Sequence, residues 1–204
     1  YYPMAYGASV QVPGGVVVLG GVDATQSYDK CVFYKSSDRN YIEMPALPKG
    51  LDNFAATYHD GMLWVAGGQS NGVPNKEVYS LPWPGNDEAW KVAAILPDAC
   101  RLQPCVAVQG TAKGNCLFVF GGYQPRLDSL GLTPVVHTDG VYMSIAELKK
   151  GGADTSLWKR TSPASVWIDN IQDGGCELCR QAVVGSTSTS IGYSHVAFFG
   201  GVDF

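Results

Sequence analysis

Apolar residues in this chain gather in short runs, and four of the runs end in paired glycines. They are VVVLGG at Val16–Gly21, MLWVAGG at Met62–Gly68, LFVFGG at Leu117–Gly122 and VAFFGG at Val196–Gly201. A short apolar run rich in β-branched and aromatic residues and stopped by glycine reads as a strand followed by a turn. Another strand precedes each run: YGASVQV at Tyr6–Val12, FAATYHD at Phe54–Asp60, PCVAVQG at Pro104–Gly110 and QAVVGST at Gln181–Thr187. Further strands follow. CVFY at Cys31–Tyr34 and then Tyr41 come after the first diglycine, and EVYSL at Glu77–Leu81 and then Trp90 after the second. GVYMSI at Gly140–Ile145 and then Trp158 come after the third. Loops marked by Pro45–Pro48, Pro97 and Pro163 lead from one unit to the next.

The diglycines begin at residues 20, 67, 121 and 200. A four-strand unit of roughly 50 residues has the period of a kelch β-propeller blade. Such a sheet has two apolar faces and buries both only by stacking on neighbours around an axis. The Trp or Tyr of each last strand is expected between neighbouring sheets. The small residues of each first strand suit crowding near the axis. The predicted fold is therefore all-β, with blades at 1–50, 51–99, 100–175 and an incomplete 176–204. That is about three and a half blades of a roughly six-bladed propeller, so the chain reads as the N-terminal part of a longer protein. The third interval is the longest. Its excess falls in a loop at Tyr123–Asp139, expected to cover one mouth of the central channel, and in Ser144–Arg160. The start of the latter predicts one helical turn stopped at Gly151–Gly152, with Glu147-Leu-Lys-Lys a solvated excursion.

Charge alters this picture little. Charged residues are 16% of the chain and the net charge is −4, with no basic run of the kind nucleic-acid binding needs. No apolar stretch reaches membrane-helix length, and no export signal opens the chain. The first residue is Tyr1 rather than Met, which suggests a removed upstream segment. Six cysteines share no disulfide framework. Cys176-Glu-Leu-Cys179 and the pair Cys100 and Cys105 are expected in equivalent loops, where a zinc site, a local disulfide and plain thiols all remain open. No metal site is assigned, because the bare spacing also occurs without metal. A copper-oxidase ligand set cannot be assembled from the Tyr, His and Cys residues present.

The motifs resemble those of kelch-type sialic acid (N-acetylneuraminate) mutarotases, in particular a cyclically permuted subgroup. AYGASVQVPGGVVVLGG at Ala5–Gly21 resembles that family's last blade. CRLQPCVAVQGTAKGNCLFVFGG at Cys100–Gly122 resembles an early blade, and VAFFGGVDF at Val196–Phe204 the next. The resemblance implies a cofactor-free isomerase acting on a small sugar acid, periplasmic or secreted, with a homodimer left open. The family's acid/base pair is a Glu just after a blade's glycine and an Arg six residues later. Val22, Gln69, Tyr123 and Val202 stand after the diglycines here. The pair is therefore expected beyond Phe204, and no catalytic residue is assigned within the chain.

Substrate-binding candidates follow from the chemistry of a carboxylated sugar, which an Arg fork and amide groups suit. Arg101, at a position matching a family Arg, and Arg180, read as its counterpart one blade on, are two; Arg126 in the long loop is a third. Gln69, Gln124 and Asn71 are candidates for sugar hydroxyls, and His137 ends the long loop. An inter-blade ion pair for the arginines and ordinary turn bonding for the amides are the competing readings. The rival function is a non-catalytic kelch module binding protein or carbohydrate.

Overall fold

The computed structural model describes residues 5–37, 40–85, 88–98, 100–112, 114–128, 131–161, 165–170, 175–180, 184–185, 187–191 and 195–199. It is nearly all β, in antiparallel sheets, as the strand pattern predicts. Sheet 1 is a meander of β1 (Ala8–Val12), β2 (Gly15–Leu19), β3 (Cys31–Lys35) and β4 (Tyr41–Glu43). Sheet 2 runs β5 (Asp52–His59), β6 (Met62–Ser70), β8 (Glu77–Pro82) and β9 (Lys91–Ile95), with the short β7 (Val73–Pro74) folded back on β6.

Sheet 3 has the same order, β10 (Cys105–Thr111), β11 (Gly114–Phe120), β14 (Gly140–Ser144) and β15 (Lys159–Arg160). Between its second and third strands stands the hairpin β12 (Tyr123–Asp128) and β13 (Gly131–Val136). A further hairpin, β16 (Ser165–Asn170) and β17 (Gly175–Arg180), comes before the last pair, β18 (Thr187–Ile191) and β19 (His195–Phe199).

Alternation along the strands gives each sheet two apolar faces. Val10, Val17 and Leu19 of sheet 1 pack with Leu63, Val65, Tyr79 and Leu81 of sheet 2 in one core. Trp64, Ala66 and Val78, on the opposite face of sheet 2, pack with Val106, Leu117, Val119 and Val141 of sheet 3 in a second. The sheets thus stack, each sheltering one face of the next. Trp90 and Trp158 sit at these seams, buried, and donate their indole N–H to the Pro45 and Ile95 carbonyls of the preceding sheet at 3.0 and 2.7 Å.

The diglycines explain how closely the sheets approach. Gly67 and Gly68 have φ of +77° and +78°, and a Cβ at either would stand 2.6 Å from the Arg101 carbonyl oxygen or 2.4 Å from that of Asp52. The Gly68 N–H instead bonds the Arg101 carbonyl at 2.8 Å, as Gly21 N–H bonds that of Leu51. The first two diglycines therefore hold the chain entering the following sheet.

Two local expectations need correction. The segment after β14 forms a helix, α1 (Ile145–Lys150), capped by Ser144 and stopped at Gly151. It is no solvated excursion, because Ile145 and Leu148 are buried in the core between sheets 2 and 3. The first strand of the fourth unit was expected at Gln181–Thr187. Residues 181–183 and 186 lie outside the described residues, and the strand paired with β19 begins only at Thr187.

Candidate functional site: a cavity mouth ringed by left-handed residues

The first strands β1, β5, β10 and β18 stand side by side around a cavity of about 700 Å³. At its rim, two residues before Ala8, Cys105 and Thr187, stand Tyr6, Gln103 and Gly185, and Asn53 holds the same place in sheet 2. All four adopt the left-handed conformation, with φ of +56°, +50°, +63° and +53°. A relay of backbone bonds links them. Asn53 N–H donates to the Tyr6 carbonyl (2.8 Å), Gln103 N–H to that of Asn53 (2.7 Å), and Gly185 N–H to that of Gln103 (3.1 Å). Non-glycine residues are rare in this conformation, and they cluster where surrounding structure holds them for a purpose.

Side chains extend the relay into a polar network. Gln103 Nε2 donates to Asn53 Oδ1 at 2.9 Å, and Asn53 Nδ2 to Asp52 Oδ1 at 2.6 Å. Asp52, almost wholly buried, also accepts from Gln69 Nε2 (3.0 Å) and Ser27 Oγ (2.5 Å). Asn71 Oδ1 accepts the Ser27 N–H at 2.7 Å, which ties sheet 1 to sheet 2. Tyr123 pairs with Leu102 through two backbone bonds, so the β12–β13 hairpin springs from this same rim. Burial pushes the Tyr123 phenol up, keeping it protonated.

A second cluster lies beside the mouth. Arg101 is fully buried, and its guanidinium donates from Nε to Asp98 Oδ2 (2.7 Å) and from Nη2 to Asp139 Oδ1 (2.9 Å). Nη1 donates to the Gly121 and Asp139 carbonyls at 2.8 and 2.9 Å. Arg160 closes the figure by bonding the other oxygens of Asp98 and Asp139. Burial raises the Asp98 and Asp139 carboxyls, but Arg101 and Arg160 outweigh it and hold both below the ordinary carboxylate value. Nearby, half-buried His137 bonds the Cys100 carbonyl through Nε2 at 3.1 Å.

These positions sort the candidates. Arg101 spends its donors inside the protein, so it sits in the ion-pair arrangement rather than open to the cavity. Gln69 and Asn71 belong to the rim network. Gln124 lies half-buried in β12 and takes no part in the relay. Arg126 and Arg180 belong to β12 and β17, and their side chains lie outside the described residues. Arg180 ends strand β17, whereas Arg101 lies in the loop that leads into β10.

The sulfur candidates change likewise. Cys176 and Cys179 fall in strand β17 rather than a loop, and their thiols lie outside the described residues. Cys100 and Cys105 are buried, and burial pushes both thiols to about 11, so they stay protonated at neutral pH. Among the described residues no three His, Cys, Asp or Glu side chains group as metal ligands, and no helix is long and apolar enough to cross a membrane.

Sequence reasoning missed Asn53, Gln103 and Asp52. The one available signal was their place, immediately before or at the start of the first strand in each repeat. No protein-family model matches the chain, and neither does any curated protein.

Proposed function

We propose that the chain is part of a kelch-type β-propeller that binds a small sugar at the mouth of its hub. The activity is that of a sugar mutarotase, on N-acetylneuraminate or a related sugar, as the motif resemblance implies. The observation that supports the reading is the relay from Tyr6 through Asn53 and Gln103 to Gly185. It repeats one strained backbone position in four successive units around one cavity, as blades around a hub require. Asn53, Gln103, Ser9 and Ser188 are among the residues that line that cavity. Amides and hydroxyls of this kind orient a polyhydroxylated ligand in an otherwise apolar cleft.

Mutarotation breaks the bond between the anomeric carbon and the ring oxygen and reforms it on the other face. A base takes the anomeric hydroxyl proton, an acid delivers one to the ring oxygen, and the roles reverse on closure. The described residues lining the cavity are all uncharged at neutral pH. The acid/base pair and the sugar-carboxylate partner then fall to residues outside them, and the rim holds hydroxyls. A periplasmic or secreted location goes with this reading.

The neutral lining also favours a second reading, a carbohydrate-binding mouth without chemistry. Exchange NMR on the full-length protein with N-acetylneuraminate separates the two. Faster α/β interconversion than in buffer supports the mutarotase. Ligand line broadening at an uncatalysed rate supports binding alone, and neither effect ends both.

A further inference from the structure

Asp52 sets the direction of the rim network. A carboxylate only accepts hydrogen bonds, so each of its side-chain partners has to donate. Ser27 Oγ, Gln69 Nε2 and Asn53 Nδ2 do so. With its nitrogen turned to Asp52, Asn53 meets the next unit with its oxygen, which again only accepts. Gln103 therefore answers with Nε2, and its own oxygen, Oε1, is turned away from Asn53. The backbone relay runs the same way: the N–H groups of Asn53, Gln103 and Gly185 each donate to the carbonyl one unit earlier.

The side-chain relay stops at the fourth unit, where Gly185 has no side chain to answer Oε1. Among the described residues Oε1 accepts no hydrogen bond. A Cβ at Gly185 would stand 3.1 Å from this oxygen, so glycine leaves it uncrowded. Gln103 and Gly185 both line the cavity, which puts the open acceptor at its mouth. Hydrogen bonds in a chain polarise one another. A chain anchored on an anion gathers negative charge at its far oxygen, which here is Oε1.

We propose that Gln103 Oε1 is a ligand-binding acceptor, that Asp52 is the positioning residue that holds it in that role, and that the site selects a ligand hydroxyl able to donate its hydrogen. The inference rests on the sugar reading and adds the polarity of the contact. An ether, a deoxy position or a halogen cannot supply that hydrogen. Without Asp52, Asn53 and Gln103 can bond each other with both amides turned over, and Gln103 then meets the ligand with its nitrogen.

Titration calorimetry of the full-length protein with N-acetylneuraminate and two matched sets of analogues tests this. In one set each hydroxyl in turn is replaced by hydrogen, in the other by fluorine, which is close to hydroxyl in size but has no hydrogen to give. At one position the deoxy analogue is expected to bind about tenfold or more weaker than the sugar, since Oε1 is left without a donor. The fluoro analogue should bind weaker still, because its fluorine faces Oε1 with lone pairs on both sides. Gln103→Leu should erase this extra fluoro penalty. So should Asp52→Asn, and so should Asn53→Gly, which cuts the link to Asp52 while suiting the left-handed backbone and serves if Asp52→Asn does not fold. Fluoro analogues that bind as well as their deoxy partners at every position overturn the inference, as does a fluoro penalty that survives in Gln103→Leu or in Asn53→Gly. Sugar binding with the wrong ranking ends only this inference, whereas no binding by the sugar or any analogue ends the sugar reading and this inference with it.

Discussion

Arg101 and Asp139, which are 38 residues apart, meet twice: Nη2 donates to Oδ1 at 2.9 Å and Nη1 to the Asp139 backbone carbonyl at 2.9 Å. The side chain and main chain of the residue leading into β14 are thereby fixed to the segment entering sheet 3. Leu51, also fully buried, fills the corresponding place before sheet 2. One repeat thus solves with apolar packing what the next solves with a ring of alternating charges.

Replacing Arg101 by Leu should destabilise the protein by about 3 kcal/mol, because Asp98 and Asp139 lose their buried partner. Adding Asp98→Asn and Asp139→Asn should recover part of the loss, since the stranded charges go too. Denaturant unfolding of the single and triple variants measures both. Sugar affinity of the folded Arg101→Leu protein should be unchanged; a large loss of affinity without loss of stability would restore Arg101 as a ligand-binding group.

Gly68→Ala and Gly61→Ala separate conformational strain from crowding. Both glycines have positive φ, but a Cβ at Gly61 meets nothing within 4 Å, whereas at Gly68 it lies 2.4 Å from the Asp52 carbonyl oxygen. Gly61→Ala should cost about 1 kcal/mol, the left-handed penalty alone. Gly68→Ala should cost roughly 2–4 kcal/mol, because overpacking against backbone adds to it. Equal unfolding midpoints for the two variants would show that the close approach at the diglycine is not what the second glycine serves.

Features legible in the sequence were those with one residue-level cause. Paired glycines announce a close backbone approach, and Trp90 and Trp158 announce a seam. The fourth first-strand was misplaced because its apolar approach, Gln181–Val184, looks more like a strand than the polar TSTSI of β18. The rim residues share a conformation rather than a side chain, as Tyr, Asn, Gln and Gly, so no residue pattern reveals them. Arg101 shows in the sequence as a charge in a loop. Its surroundings arise only when segments as distant as Asp98 and Arg160, 62 residues apart, are brought together. Leu148 is a comparable case: the two lysines that follow it disguise the buried side of α1.

Trp158→Phe should keep most of this side chain's apolar contact and lose its indole hydrogen bond. The Ile95 carbonyl then loses its indole donor, at a cost of about 1–3 kcal/mol. Trp90→Phe should behave alike through the Pro45 carbonyl. Thermal or urea unfolding checks the cost, and a Trp158→Phe protein as stable as the parent would show that this tryptophan serves the seam by packing alone.

Gln103→Leu probes the rim. It removes the bond to Asn53 Oδ1 and the amide of a residue lining the cavity, and leaves the Gln103 backbone bonds in place. Stability should fall by roughly 1 kcal/mol, the worth of one side-chain hydrogen bond. Sugar affinity, followed by ligand-observed NMR, should fall about tenfold or more, in line with a loss of about 1.4 kcal/mol. Full affinity would move the ligand away from this rim.

His137 gives the fold a pH dependence near neutrality. Burial, reinforced by the Arg101 charge, lowers its pKa below the ordinary 6.5. The folded protein thus binds a proton on His137 less readily than the unfolded chain does. This stabilising contribution is complete above about pH 6.5 and is lost progressively as the pH falls through the folded-state pKa, with a slope of up to about 1.4 kcal/mol per pH unit. Asp98 and Asp139, held below 3.8, titrate under this range. Unfolding free energies measured between pH 7.5 and 5.5 should therefore decline in the parent protein and stay level in His137→Gln, whose amide can still donate to the Cys100 carbonyl. Parallel declines in the two proteins would trace the acid sensitivity to another group.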